Sequence, residues 1–174
     1  MPFDCPAEYA DVSQVARAIV VWKSQFTLAL YEHGKRVSRD GEAACYEVAM
    51  GAHPAGDKEA EGDEKTPEGT FRITHKNPKS AFHLSLGISY PDTVHADRML
   101  ASEFISQQTR DRIARADRAR GMPPDNTPLG GDIYIHGGGS SPNNWTNGCV
   151  ALSDDHIETV YAWAEPGTTV VILP

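Results

Sequence analysis

The chain has 174 residues, enough for one well-buried core and short for two, so a single domain is expected. Its formal net charge is −8, and no Lys/Arg cluster stands outside one helical stretch, which argues against nucleic acid as a partner. No apolar run approaches the roughly 18–20 residues that span a bilayer, so no transmembrane segment is expected.

The opening Met1-Pro2-Phe3-Asp4-Cys5-Pro6 has neither the basic nor the apolar region of a signal peptide. The protein is therefore cytoplasmic, exported by another route, or seen without its leader. Three cysteines are too few for a disulfide framework, and no CxxC pair suggests zinc. Cys5 and Cys45 are either bridged in an oxidising compartment, leaving Cys149 free, or two unrelated thiols.

Residues 1–17 read as a lead-in with one short helix, and 18–174 as a single domain. Strand signals begin at 18–22 and 26–31, both rich in β-branched and aromatic residues. Glu32-His33-Gly34-Lys35 is a hairpin turn in which Gly34 is free to take positive φ. Residues 45–50 form another strand, and 51–69 a long polar loop. Thr66-Pro67-Glu68-Gly69 turns that loop into a strand at 70–74, and a further short strand follows at 81–86. Between about Asp97 and Arg120, Met99, Leu100, Phe104, Ile105 and Ile113 recur at near-helical spacing, giving one helix, whole or broken, with a solvated arginine face. Short strands at 133–135 and 150–152 bracket a Gly/Ser/Asn-rich loop. Ser153 caps a helix running through Trp163, and Gly167 turns into a last strand at 168–173. The fold class is mainly β, a β-rich α+β domain with about two peripheral helices.

His136 ends the strand at 133–135 and Cys149 begins the strand at 150–152. If those strands are neighbours, their facing ends bring imidazole and thiol together. A thiol near its ordinary pKa of about 8.5 is mostly protonated at neutral pH, and a nearby imidazole can take its proton. Backbone N–H groups suit the oxyanion that acyl transfer develops, and Gly148 lets those around Cys149 approach closely. Each signal alone has an ordinary reading: a lone strand cysteine is usually a small buried hydrophobe.

The stretch Ile-His136-Gly137 … Trp145-Thr-Asn147-Gly148-Cys149-Val-Ala-Leu resembles the signature of the L,D-transpeptidase catalytic domain (YkuD) family. So do Lys23-Ser-Gln-Phe-Thr-Leu-Ala-Leu-Tyr31, Met50-Gly51, Lys65-Thr-Pro-Glu-Gly-Thr-Phe71 and the closing Gly167-Thr-Thr-Val-Val-Ile172. Phe82-His83-Leu-Ser-Leu-Gly-Ile-Ser-Tyr90-Pro91 is similar to a subgroup that includes enzymes acting on peptidoglycan-linked peptides.

The resemblance implies a β-sandwich or barrel-like catalytic fold. It implies Cys149 as nucleophile, forming a thioester with a meso-diaminopimelate residue of a peptidoglycan stem, and His136 as base. Gly148 and Cys149 would supply oxyanion N–H groups, and no cofactor or metal is required. The outcome would be L,D cross-links between stems or from stem to protein. The alternatives are a hydrolytic amidase or L,D-carboxypeptidase of the same fold, and a non-catalytic peptidoglycan-binding module. A periplasmic or cell-envelope location follows from that substrate. Many relatives carry His where Asn147 stands and Arg where Ala151 stands, departures that bear on acyl-donor specificity. The His136–Cys149 loop is also short for the family, which would open the cleft.

The remaining substrate-binding candidates are Asn147, Trp145, His83, Tyr90 and Gly137. Trp145 is either a groove wall or core, His83 a substrate contact or an ordinary strand histidine, and Tyr90 a site residue or a packing one. His156 is expected at the surface, and Glu68 either belongs to the turn or meets a substrate amine.

Overall fold

The structure, a computed structural model, describes residues 3–140 and 144–174. Met1, Pro2 and the middle of the His136–Cys149 loop, Ser141, Pro142 and Asn143, lie outside the described residues. In chain order the strands are β1 (Arg17–Trp22), β2 (Thr27–Glu32), β3 (Lys35–Arg36), β4 (Ser38–Arg39), β5 (Glu42–Ala43), β6 (Cys45–Glu47), β7 (Gly69–Ser80) and β8 (His83–Ile88). Helices α1 (Thr93–Ala101) and α2 (Gln107–Arg118) follow, then β9 (Tyr134–His136), β10 (Val150–Ala151), α3 (Asp154–Trp163) and β11 (Thr169–Leu173).

Among the described residues, nine strands form one mixed sheet in the order β10-β9-β8-β7-β11-β1-β2-β3, with β6 also on β2. The pairs β1–β11 and β9–β10 are parallel. A separate ribbon joins β4 to β5. The β-rich reading of the sequence holds, with three helices rather than about two.

Strands β1 and β2 are apolar on both faces because both faces are covered. Ile19, Val21, Leu28 and Leu30 enter the main core, while Ala18, Val20, Ala29 and Tyr31 pack against a second cluster containing Cys5 and Val12. The lead-in supplies that cover, with a single 3-10 turn at Ala10–Val12 in place of the expected short helix. It is fastened by the Cys5–Cys45 disulfide and by the Tyr31 hydroxyl, which donates to the Pro6 carbonyl at 2.7 Å.

The strand expected at 70–74 is longer than the sequence suggests. Strand β7 runs for 12 residues, well past Thr74, because register shifts between Ile73 and Lys76 and between Asn77 and Ser80 absorb its polar, Pro78-containing half. Of the whole or broken helix expected at about 97–120, the broken form is present, as α1 and α2. Asp92 accepts from the His95 N–H at 3.0 Å and starts α1 early, and Ser106 accepts from the Thr109 N–H at 3.1 Å to start α2. Between them Glu103 takes φ of 61°, which ends helical pairing.

The loop from Gly51 to Glu68 has no regular strand, yet three buried cationic side chains pin it. Lys23 Nζ donates to the Gly56 and Thr66 carbonyls and to Glu68 Oε1 at 2.7, 2.9 and 2.9 Å. Lys58 Nζ donates to the Ala60 carbonyl at 3.0 Å and to Asp63 Oδ1 at 2.7 Å. His95 lies between Asp92 at 2.5 Å and Asp57 at 3.0 Å. Burial alone would lower the His95 pKa, but hydrogen bonds and charge from Asp57 and Asp92 outweigh it and hold the ring at about 9.

The disulfide spans 40 residues of sequence, so its loss should cost about 2–4 kcal/mol of folding free energy. Urea unfolding of Cys45→Ser against the oxidised chain measures this; equal midpoints would show the staple contributes nothing.

Candidate active site

Strand β9 lies between β8 and β10, with His136 opposite Ser85 on one side and Ala151 on the other. The β9–β10 pairing is parallel, with Val150 beside Ile135. The idea that facing strand ends bring His136 and Cys149 together is therefore wrong in detail. Parallel strands put the end of one beside the end of the other. What unites the residues is periodicity: Cys149 lies two positions before Ala151, hence on the face that His136 shares. Both line one cleft of about 490 Å³.

His136 is held in a defined tautomer. Its Nδ1 lies 2.6 Å from the Gly137 carbonyl, which can only accept, so Nδ1 carries the proton and Nε2 is bare. Phe82 stacks on the imidazole with centroids 4.5 Å apart, and Trp145 meets it edge-on at 5.6 Å. Burial lowers the His136 pKa, and the Gly137 carbonyl only partly offsets that. The ring is neutral at neutral pH.

The Cys149 sulfur has other partners. The Tyr134 N–H points at it from 3.4 Å, and its own S–H donates to the Asp132 carbonyl at 3.5 Å. Among the described residues no hydrogen bond joins thiol to imidazole; such bonds often tighten only when substrate arrives. Burial pushes the thiol pKa up to about 11, with the Tyr134 N–H opposing. A neutral thiol and a neutral imidazole therefore line the same cleft.

Gly148 departs from its expected role. Its N–H is already given to Thr146 Oγ1 at 3.1 Å, so it is not free for an oxyanion. Its φ of 135° and the Lys65 carbonyl, only 2.7 Å from where a Cβ would stand, are what require glycine. Thr146, which the sequence reading passed over, also donates its hydroxyl to the Cys149 carbonyl at 2.7 Å. It bridges to Gly51, so the pinned loop braces the turn carrying Cys149. The Thr-x-Gly-Cys pattern was the available signal.

The other candidates separate. Trp145 and Asn147 line the cleft. Trp145 is an exposed wall, its indole N–H donating to the Gly139 carbonyl at 3.2 Å. Tyr90 does not line this cleft: it is wholly buried, its hydroxyl donating to the Leu129 carbonyl at 2.9 Å. His83 is turned to Glu158 on α3 at 2.7 Å, away from the cleft. Gly137 sits beneath the Phe82 turn rather than on the lining. Glu68 pairs with Lys23. His156 is half-buried and packs against Tyr46, ring centroids 4.6 Å apart and tilted by 34°, instead of standing in solvent. Ala151 is wholly buried, its N–H donating to the Ala49 carbonyl at 2.8 Å, so this position presents no cation to the cleft. Among the described residues no cluster suits a metal ion, and no helix is long and apolar enough to cross a membrane.

A chain with this sheet, this His-Gly strand end and this Gly-Cys turn matches the L,D-transpeptidase catalytic domain (YkuD) family over residues 16–172. The protein belongs to that family. Among solved structures it is similar to the helical cell shape determining protein Pgp2 from Campylobacter jejuni, at 23% identity and TM-score 0.57, covering 90% of this chain and 47% of that one. Bd1075 from Bdellovibrio bacteriovorus shares 20% identity at TM-score 0.59, covering 97% and 52%. An L,D-transpeptidase (Yku) from Stackebrandtia nassauensis shares 15% at TM-score 0.54, covering 92% and 57%. At these identities the likeness is one of fold, and the chain spans about half the length of each structure. No curated protein matches it.

Because Cys5 and Cys45 are bridged, Cys149 is the one free thiol among the described residues. Its rate of alkylation by iodoacetamide should rise about tenfold per pH unit through pH 8 to 10, following the small thiolate fraction. A plateau near pH 8.5 would contradict the raised pKa.

Proposed function

We propose that the protein is a cysteine-dependent acyltransferase acting on peptidoglycan stem peptides that contain meso-diaminopimelate, forming L,D cross-links through a Cys149 thioester. The observation that carries this is the bare Nε2 of His136, whose tautomer the Gly137 carbonyl sets, in the same cleft as the thiol.

The reaction runs as follows. His136 Nε2 takes the Cys149 proton as sulfur attacks the donor carbonyl. With the Gly148 N–H engaged, the Cys149 N–H is the proposed donor to the oxyanion. Collapse returns the proton from His136 to the leaving amine and leaves a thioester. An acceptor amine then attacks the thioester carbonyl, gives up a proton to His136, and displaces the sulfur. Because thiol and imidazole both start neutral, proton transfer must accompany attack rather than precede it.

Water in place of the amine gives the hydrolytic alternative. The cleft wall supports transfer: Glu61, Glu64, Asp125 and Asp132 line it and suit a cationic acceptor. Lys58, the cation among the described lining residues, is already paired with Asp63. The disulfide fits a periplasmic or cell-envelope location, where thiols are oxidised.

Incubation with a carbapenem should add one acyl group to Cys149, read by intact mass, and Cys149→Ala should abolish it. His136→Ala should slow the acylation about 100- to 10,000-fold. An adduct that survives Cys149→Ala sinks the proposal.

A further inference from the structure

Phe82 stands at the tip of the β7–β8 turn and is 44% exposed, although large apolar side chains are usually put to better use inside. It belongs to neither apolar core. Its contacts are with the cleft: the imidazole of His136 at 4.5 Å with ring planes 25° apart, and the Trp145 ring at 5.6 Å.

The turn that carries it is built to stay there. The Phe82 N–H donates to Ser80 Oγ at 3.1 Å, and His83 takes φ of 73°, a left-handed conformation uncommon for a residue with a side chain. His83 Nε2 meets Glu158 Oε1 at 2.7 Å and clasps the turn to α3. Below the turn, a Cβ on Gly137 would come 2.7 Å from the Phe82 carbonyl, so the glycine after the histidine is what lets the turn close over it. Two of the residues first considered as substrate contacts, His83 and Gly137, thus act on the placement of Phe82.

We infer that Phe82 is a positioning residue for His136, a half-exposed ring that fixes the plane of the imidazole and screens one of its faces from water. This rests on the reading of His136 as the base. The Gly137 carbonyl anchors one atom of the ring, which leaves rotation about that bond, and a stacked partner removes it. Screening by Phe82 and Trp145 also supplies the burial that keeps the ring neutral. The charged and titratable groups nearby are Asp154 of α3, bonded to the Gly138 N–H at 2.9 Å, the His83–Glu158 pair behind Phe82, and Cys149, Lys58, Glu61, Glu64, Asp125 and Asp132 on the cleft lining. Burial lowers the His136 pKa and the Gly137 carbonyl opposes it, so uncovering the ring should raise it.

The test follows the His136 ring by NMR titration and, separately, the rate at which a carbapenem acylates Cys149. In Phe82→Ala the His136 midpoint should rise toward the ordinary histidine value of about 6.5, and acylation should slow about tenfold or more. Phe82→Tyr, which keeps the ring, should restore both. An unchanged His136 midpoint in Phe82→Ala overturns the inference, as does a shifted midpoint with an unchanged acylation rate. Acylation indifferent to His136→Ala would instead overturn the base reading, and the titration distinguishes that failure because it is read from the ring itself.

Discussion

The parallel pairing of β9 and β10 is the constraint on which the site depends. With Val150 beside Ile135, the residue opposite His136 is Ala151, and Cys149 falls on the shared face two residues back. A slip of one residue would turn the thiol to the opposite face of the sheet and empty the cleft of it. Two residues of strand cannot hold such a register alone. It is secured by Thr146, whose hydroxyl closes the turn before Cys149, and by Ala49, which exchanges backbone hydrogen bonds with Ala151 on the outer side.

Two residues after Ala49 the chain enters the long charged loop, whose Gly51 bridges to Thr146. Its order comes from Lys23, Lys58 and His95, each nearly inaccessible to solvent and each satisfied by carboxylates or carbonyls. Removing one partner of such a buried pair costs far more than the pair contributes net, because the survivor stays desolvated. The loop is thus confined to one arrangement, and that arrangement supplies both a cleft wall and the brace for the turn carrying Cys149.

The fold was legible where apolar periodicity was strong. β1, β2 and β11 announce themselves by β-branched runs, and α3 by its Ser153 cap and acidic first turn. The second half of β7 was hidden because His75, Lys76, Asn77 and Pro78 read as loop, and only tertiary pairing with β8 makes them strand. The break between α1 and α2 rests on Glu103 adopting a left-handed conformation that no composition signal marks. In the site, Cys149 and His136 were legible as a pair, and their common cleft follows from a parallel register that spacing did not reveal. Thr146 was marked only by the Thr-x-Gly-Cys pattern, and Phe82 meets His136 from another strand pair, so nothing local singles Phe82 out. His83 and Tyr90 show the converse: chemically suggestive side chains drawn off by a helix carboxylate and by the core.

Acyl transfer through Cys149 on peptidoglycan stems is tested by incubating purified sacculi with the protein and analysing the muropeptides by mass spectrometry. The wild-type chain should consume tetrapeptide stems and yield new L,D-linked dimers, while Cys149→Ala should leave the profile untouched. Products that are the same with and without the thiol, or no change with the wild type, would contradict it.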